Sequence, residues 1–421
     1  MKMRTEQKTA VKNSIGRLVF VALSVLLQVI WICVQAMKLN RYSTWISVAT
    51  SVLTLVVVIL LYGRRTNAAF KMPWIILILA FPVLGLGMYL LFGRKEATQL
   101  VRERFERIDQ SLDGLLIQDK AVRIKLQQTD RMAANEAAYI WNYAKYPIYQ
   151  NTDVVFYKEA SEGIKAQKQA LNQAKHFIFM EYHAIEDKQS FGELKEILAR
   201  KAKEGVEVRL FYDDIGSIGF INTDFIQRME AEGIQCRVFN RLMPVLNVFM
   251  NNRDHRKITV IDGKIGFTGG YNLADEYFNI THPYGYWKDT GVRLEGDAVR
   301  SLTVMFLEMW NAIKGTDTDY TPYFLQDGAQ PHEAGLAGSV GVTQSDANIA
   351  ADSASGFVQP YADSPLDGEP VGENVYMGVV KAASEYVYFT TPYLIISDEM
   401  SRELCLAAKR GVDVRIVTPG I

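Results

Sequence analysis

The chain has 421 residues, enough for two or more domains and a substantial buried core. Its 46 Lys and Arg nearly balance 47 Asp and Glu, yet residues 1–95 sum to +11 and residues 96–421 to −12. A basic, apolar leader ahead of an acidic body argues against the basic stripe of a nucleic-acid binder and for anionic lipid as partner. Three scattered cysteines (Cys33, Cys236, Cys405) exclude a disulfide framework or a zinc site.

Three uncharged apolar runs come first, residues 18–37, 45–62 and 74–92. About 20 helical residues cross a bilayer core, so residues 1–95 are predicted to form a membrane anchor of two or three hydrophobic helices. The first run follows Lys2, Arg4, Lys8, Lys12 and Arg17, but it is long and lacks a small-residue cleavage signal. It therefore reads as an anchor and not as a removed leader. Three simple crossings would put Arg64, Arg65 and Lys71 opposite the body, against the bias of basic loops toward the cytosol. Pro82, Gly85 and Gly87 within the third run suggest a resolution: that run dips in and returns. The protein is then a multi-pass protein of the cell membrane with a cytosolic body.

Residues 96–150 are charged and helix-prone and are predicted to be a helical connector. From residue 151 strand and helix patterns alternate, which predicts an α/β body. Strands are expected at 154–157, 176–182, 206–212 and 234–239, and helices at 161–173, 191–204 and 223–232. The scheme then returns. Residues 202–210 (AKEGVEVRL) match 408–416 (AKRGVDVRI), and 174–179 (AKHFIF) are echoed by 383–388 (ASEYVY). Two matches in the same order predict a duplicated unit. The first copy occupies 151–314 and an incomplete second one 373–421. Between them, residues 315–372 read as a flexible linker whose stretch 330–355 has nothing to pack.

The most informative stretch is NNRDHRKITVIDGKIGFTGGYN, residues 251–272. Asp262-Gly263 is a two-residue hairpin signal between β-rich flanks. If residues 255–261 form a strand, His255, Lys257 and Thr259 share one face and Arg256, Ile258 and Val260 the other. An imidazole and an ammonium held side by side suit phosphoryl transfer: the neutral ring can attack phosphorus and the cation can neutralise its oxygens. Asp262 can orient a ring or a neighbouring cation. Gly269-Gly270 can expose backbone N–H groups, and Asn272, predicted to open a helix over 273–277, can donate to a phosphate oxygen.

The pattern His255-x-Lys257-x4-Asp262-x6-Gly269-Gly270-x-Asn272 resembles the signature of the phospholipase D superfamily. The surrounding text is closer still to bacterial cardiolipin synthases: residues 73–93 in the membrane segment, Glu181-Tyr182, the run 208–217, Asn252–Lys257, and the run 286–290 with Glu295-Gly296. The resemblance implies a phospholipase D-like duplicated α/β/α sandwich. It also implies a phosphatidyltransferase that makes cardiolipin and glycerol from two phosphatidylglycerols through a phosphatidyl-histidine, with no metal or other cofactor. Members carry two such motifs, one per repeat; these 421 residues contain one. The resemblance therefore implies that a missing C-terminal part or a second chain completes the site.

Other candidates are weaker. Glu181 and His183 end a predicted buried strand and could touch substrate phosphate. Arg253 could serve a headgroup phosphate. Asp213-Asp214 follows a strand without a third ligand and reads as a pocket lip. Two further functions stay open: a phospholipase D that gives the phosphatidyl group to water, yielding phosphatidic acid, and an inactive anchored remnant that binds anionic lipid.

Overall fold

A computed structural model of the chain describes residues 43–64, 68–89, 99–112, 114–240, 253–324, 356–363 and 369–420, with the isolated Leu26, Val29 and Ile30. Two compact units emerge, one of residues 1–101 with 242–252, the other of 102–241 with 253–421. The first apolar run and residues 325–355 lie almost wholly outside the described residues.

In the first unit the helix Ser43–Gly63 carries no charged residue and exposes Trp45, Val52, Leu55 and Ile59. Leu61 at its end packs with Ile78 and Tyr89. No helix among the described residues is long and apolar enough to cross a membrane. The third apolar run is interrupted: helix Ala68–Ala80 stops at Phe81 (φ −137°, ψ 79°) and a short helix, Pro82–Met88, begins anew. Pro82 disfavours a helical conformation at the residue before it, and that breaks the run. The short helix lies against the first, since a Cβ on Gly85 would come within 2.6 Å of the Ile78 Cα.

In the second unit, helices Lys120–Thr129 and Arg131–Ala144 are started by Asp119 and Asp130, whose carboxylates accept from backbone N–H groups of the first turn. A seven-stranded sheet follows, of β1 (Thr152–Tyr157), β2 (Phe177–Tyr182), β3 (Glu207–Asp213), β4 (Gln235–Phe239), β5 (Lys257–Ile261), β6 (Ile265–Gly269) and β7 (Gly291–Gly296). Its order is β1-β7-β6-β5-β2-β3-β4. β2, β3 and β4 run parallel, because helices Gln189–Lys203 and Phe225–Ala231 return the chain each time. β5, β6 and β7 are antiparallel. At the β5–β6 turn Asp262 and Gly263 both take positive φ (52° and 66°), as a two-residue hairpin of this hand requires.

Side-chain alternation splits the core in two. Phe177, Phe179, Ile258 and Val260 point to the face covered by helix Val299–Ile313, meeting Phe306 and Trp310. Ile178, Met180, Tyr182 and Ile261 point to the other face, under helices Ala160–Asn172 and Gln189–Lys203. The result is an α/β/α sandwich.

Beyond it, helix Val371–Ala382, β8 (Tyr386–Thr390), helix Asp398–Lys409 and β9 (Asp413–Val417) reproduce the order of helix Ala160–Asn172, β2, helix Gln189–Lys203 and β3. β8 and β9 are parallel, with Tyr386 opposite Asp413, just as Phe177 lies opposite Glu207. Residues 202–210 and 408–416, matched in sequence, thus fall at the same place in this order, a helix end running into a strand. Part of the expected linker is ordered: Val358 pairs with Tyr149, and Gln359 donates to the carbonyls of Ala137 and Tyr146. The expected helix over 273–277 is a single 3-10 turn, Asp275–Phe278.

Candidate active site

β2 and β5 are neighbours in the sheet, 75 residues apart in sequence at the pair Tyr182 and Lys257. That pairing places the residue after β2, His183, beside the residues that lead into β5. The rings of His183 and His255 lie 4.8 Å apart at their centroids, tilted by 57°. His183 Nδ1 donates to the Asp254 carbonyl at 2.7 Å. His255 is exposed. The packing around it, then the Lys257 ammonium and the His183 ring, pull its pKa down to about 4. The ring is therefore neutral at physiological pH, the form in which it is a nucleophile.

Lys257 is 6% exposed and donates to the His255 carbonyl at 2.6 Å. Burial lowers its pKa to about 8, opposed by the carboxylates of Asp254, Asp289 and Glu181. It stays mostly charged near neutrality. The wall on its side of the sheet is fixed by a buried network in which Gln167 donates to Tyr182 Oη and Thr259 Oγ1, at 3.0 and 2.8 Å. Thr259 shares the face of Lys257, as the strand period requires, but its hydroxyl is engaged there.

Of the remaining candidates, several do other work. Asp262 sits at the far end of β5, roughly 16 Å along the strand from Lys257. Its carboxylate accepts from the backbone N–H groups of Lys175, His176 and Phe177 at 2.7–2.8 Å. It pins the hairpin to the start of β2 and orients neither the ring nor the ammonium. Glu181 points to the opposite face from Lys257, wholly buried near Arg256. Burial and the neighbouring Asp254 raise its pKa well above the usual carboxylate range. Among the described residues no hydrogen-bond partner outside the pair is found for either Glu181 oxygen or for Asp254 Oδ2.

Asn272 is also buried. Its Oδ1 accepts from Ala184 N and its Nδ2 donates to Tyr277 Oη, so it ties the loop carrying His183 to the loop after β6. The Gly270 N–H is spent on the Thr290 carbonyl; the glycine is required because a Cβ would lie 2.1 Å from Asp289 Oδ1. Arg253 donates to Asp213, which also accepts from the N–H groups of Ile215, Gly216 and Asp254. Asp213 thus holds the loop of Asp254 and is no pocket lip. One residue was missed by motif reasoning. Asp289 is the second carboxylate bearing on Lys257, and its only trace in the sequence is its place in the run 286–290. Among the described residues no group of three or more His, Cys, Asp or Glu is placed to hold a metal ion.

The family described as "Cardiolipin synthase, PLD-like domain" matches residues 168–310, which contain His183, His255, Lys257 and Asp289. A second family, "Phospholipase D-nuclease N-terminal", matches residues 50–94. The chain is 38% identical over 365 residues to an uncharacterized protein of Streptococcus mutans, covering 86% of this chain and 74% of that one. It is 31% identical over 391 residues to the cardiolipin synthase of Halalkalibacterium halodurans, covering 89% and 71%. It is 28% identical over 382 residues to that of Alkalihalophilus pseudofirmus, covering 89% and 70%. On the strength of this identity, and with the phospholipase D pattern around His255 and Lys257, the chain belongs to the cardiolipin synthase family.

Proposed function

We propose that this chain transfers a phosphatidyl group from one phosphatidylglycerol to another, giving cardiolipin and free glycerol. His255 attacks the phosphorus of the first lipid. An N–P bond forms, the P–O bond to glycerol breaks, and the glycerol oxygen leaves with a proton. A hydroxyl of the second lipid then attacks the same phosphorus, losing its proton as the N–P bond breaks. Lys257 neutralises the non-bridging oxygens while charge moves onto them. The observation that carries this reading is a neutral imidazole just ahead of β5 whose backbone carbonyl is bonded by the buried Lys257 ammonium, a cation near enough to lower the ring's pKa.

Attachment to a lipid surface through the anchor belongs to the same proposal, supported by the uncharged, apolar-faced helix Ser43–Gly63 and the doubled-back Ala68–Met88 segment. An anchored site works where both substrates are concentrated. For topology, cysteine labelling from outside the cell is expected to modify a cysteine placed at Asn40 and to spare one at Asn67; the reverse would overturn the re-entrant arrangement.

The function is tested with purified chain in mixed micelles of detergent and labelled phosphatidylglycerol. Cardiolipin and glycerol in equal amounts are expected, lost on His255→Ala. Phosphatidic acid without cardiolipin would instead identify a hydrolase. Lipid binding with no product, unchanged by His255→Ala, would identify a binding protein.

A further inference from the structure

We infer that the loop between β6 and β7, with the run that follows β8, docks the site onto a phospholipid bilayer, Tyr284 and Ile395 entering its interface. This rests on the phosphatidyl transfer proposed above and adds how a lipid phosphorus is brought to His255. Strand register fixes the loop's position. Tyr182 lies opposite Lys257, Ile258 opposite Thr268, and Gly269 opposite Gly291, so the loop leaves the same end of the sheet that carries His255 and His183. Residues 280–286 are all exposed, Tyr284 to 78%. Residues 391–397 form a second run with Tyr393, Leu394, Ile395 and Ile396 exposed, Ile395 to 90%. Burial above all raises the pKa of Tyr277, and the Tyr393 phenol adds to it, which puts the second run near the base of the first.

The loop is closed at its neck and joined to the site wall. Asn279, at φ 55°, donates to the Trp287 carbonyl at 2.9 Å and accepts from Trp287 N at 2.7 Å. The Trp287 ring lies 4.7 Å from that of Tyr277 and 6.1 Å from that of Tyr284. Tyr277 Oη accepts from Asn272, which holds the backbone of Ala184, next to His183. Trp287 Nε1 donates to Asp289, whose charge bears on Lys257. The tip is thus a self-closed, pre-shaped projection of the kind that carries function on a surface. Its chemistry selects lipid as the occupant. Neither 280–287 nor 391–397 contains an Asp, Glu, Lys or Arg, in a chain that is 22% charged. Tyr, Trp and Ile without charge favour the zone between headgroups and acyl chains, the depth at which a phosphatidyl phosphorus is met.

The full chain is placed in nanodiscs of phosphatidylglycerol and phosphatidylcholine, with Cys33 and Cys405 replaced by serine and the buried Cys236 kept. A fluorophore is attached in turn through Tyr284→Cys, Ile395→Cys and, as control, Lys203→Cys, an exposed position where a helix leads into the opposite end of β3. Labels at 284 and 395 should be quenched by a nitroxide just below the lipid headgroups and shielded from iodide in water; the label at 203 should behave in the reverse way. Iodide quenching at 284 and 395 would overturn the docking, and so would shielding from both quenchers, which would mean that protein covers the loop. In the same nanodiscs Tyr284→Ser with Ile395→Ser should slow transfer from phosphatidylglycerol about tenfold, from lost apolar burial. Transfer from dibutyryl-phosphatidylglycerol, which stays in water, should remain within about twofold of the parent, as for surface changes away from the chemistry. Unchanged transfer in the bilayer, or equal loss on both substrates, would overturn the docking and leave phosphatidyl transfer standing. Lipid-quenched labels on a parent chain that forms no product would support the docking and overturn the transfer reading.

Discussion

Asp262→Ala tests whether the aspartate of the His-x-Lys-x4-Asp pattern belongs to chemistry or to architecture. The substitution removes three bonds from the Asp262 carboxylate to backbone N–H groups, of Lys175 and His176 in exposed surroundings and of Phe177 in a part-buried one. The part-buried, charge-assisted bond is worth about 1.5 kcal/mol and each exposed one about 0.5 kcal/mol. Residue 262 also has φ 52°, a left-handed conformation that costs alanine about 1 kcal/mol more than a residue with a short polar side chain. The loss of stability is then roughly 3–4 kcal/mol, or about 10 °C in Tm for a body of this size. Thermal unfolding followed by tryptophan fluorescence, with turnover measured well below the transition, separates the two outcomes. We expect the full drop in Tm and a turnover per folded molecule within about threefold of the parent. Asp262→Asn, which tolerates the left-handed turn and keeps one acceptor oxygen, should recover about half of the loss. A hundredfold fall in turnover with unchanged Tm would refute the reasoning and return Asp262 to the reaction.

Further predictions concern the charges around the site. Lys257 must be protonated to neutralise phosphate oxygens, so activity is expected to fall as pH rises through about 8. In Lys257→Arg a pH–rate profile should show that limb displaced above pH 10 at a reduced maximum, since guanidinium does not titrate there; an unmoved limb would assign it to another group. Asp289 raises the pKa of Lys257, so Asp289→Asn should shift the same limb toward lower pH. Glu181→Gln is expected to cost little in denaturant unfolding, because burial and the neighbouring Asp254 already penalise the charged form of this carboxyl. Arg256→Met, by contrast, strips Glu308 and Asp254 of their buried counter-charge and should cost about 3–5 kcal/mol.

The elements of the body were largely legible because they rest on short-range rules. Strand period and helix amphipathicity located β1 to β4 and their helices within a few residues, and Asp262-Gly263 foretold its hairpin because both residues accept positive φ. The repeat was legible for the same reason: Gly205 and Gly411 each end a helix before a Val-rich strand, in positive φ. Shorter elements escaped. The turn at Asp275–Phe278 is held by pairing of residues 184–186 with 272–275, which no local propensity encodes. The third apolar run carried its own interruption, and Pro82, Gly85 and Gly87 marked it in the sequence.

What the sequence by itself determined is the chemistry available: an imidazole and an ammonium two residues apart at the head of a strand, in a family that transfers phosphatidyl groups. Only the tertiary structure decided which residues join them. Strand order in a sheet is settled by closing long loops over a shared core, and the insertion of β5 beside β2 brings His183 to His255 across 72 positions of sequence. The same closure carries Asp262 away to the other end of the strand, turns Glu181 to the opposite face and brings Asp289 to bear on Lys257. Contacts of that kind depend on register between distant segments, and register is fixed by packing and not by neighbours along the chain.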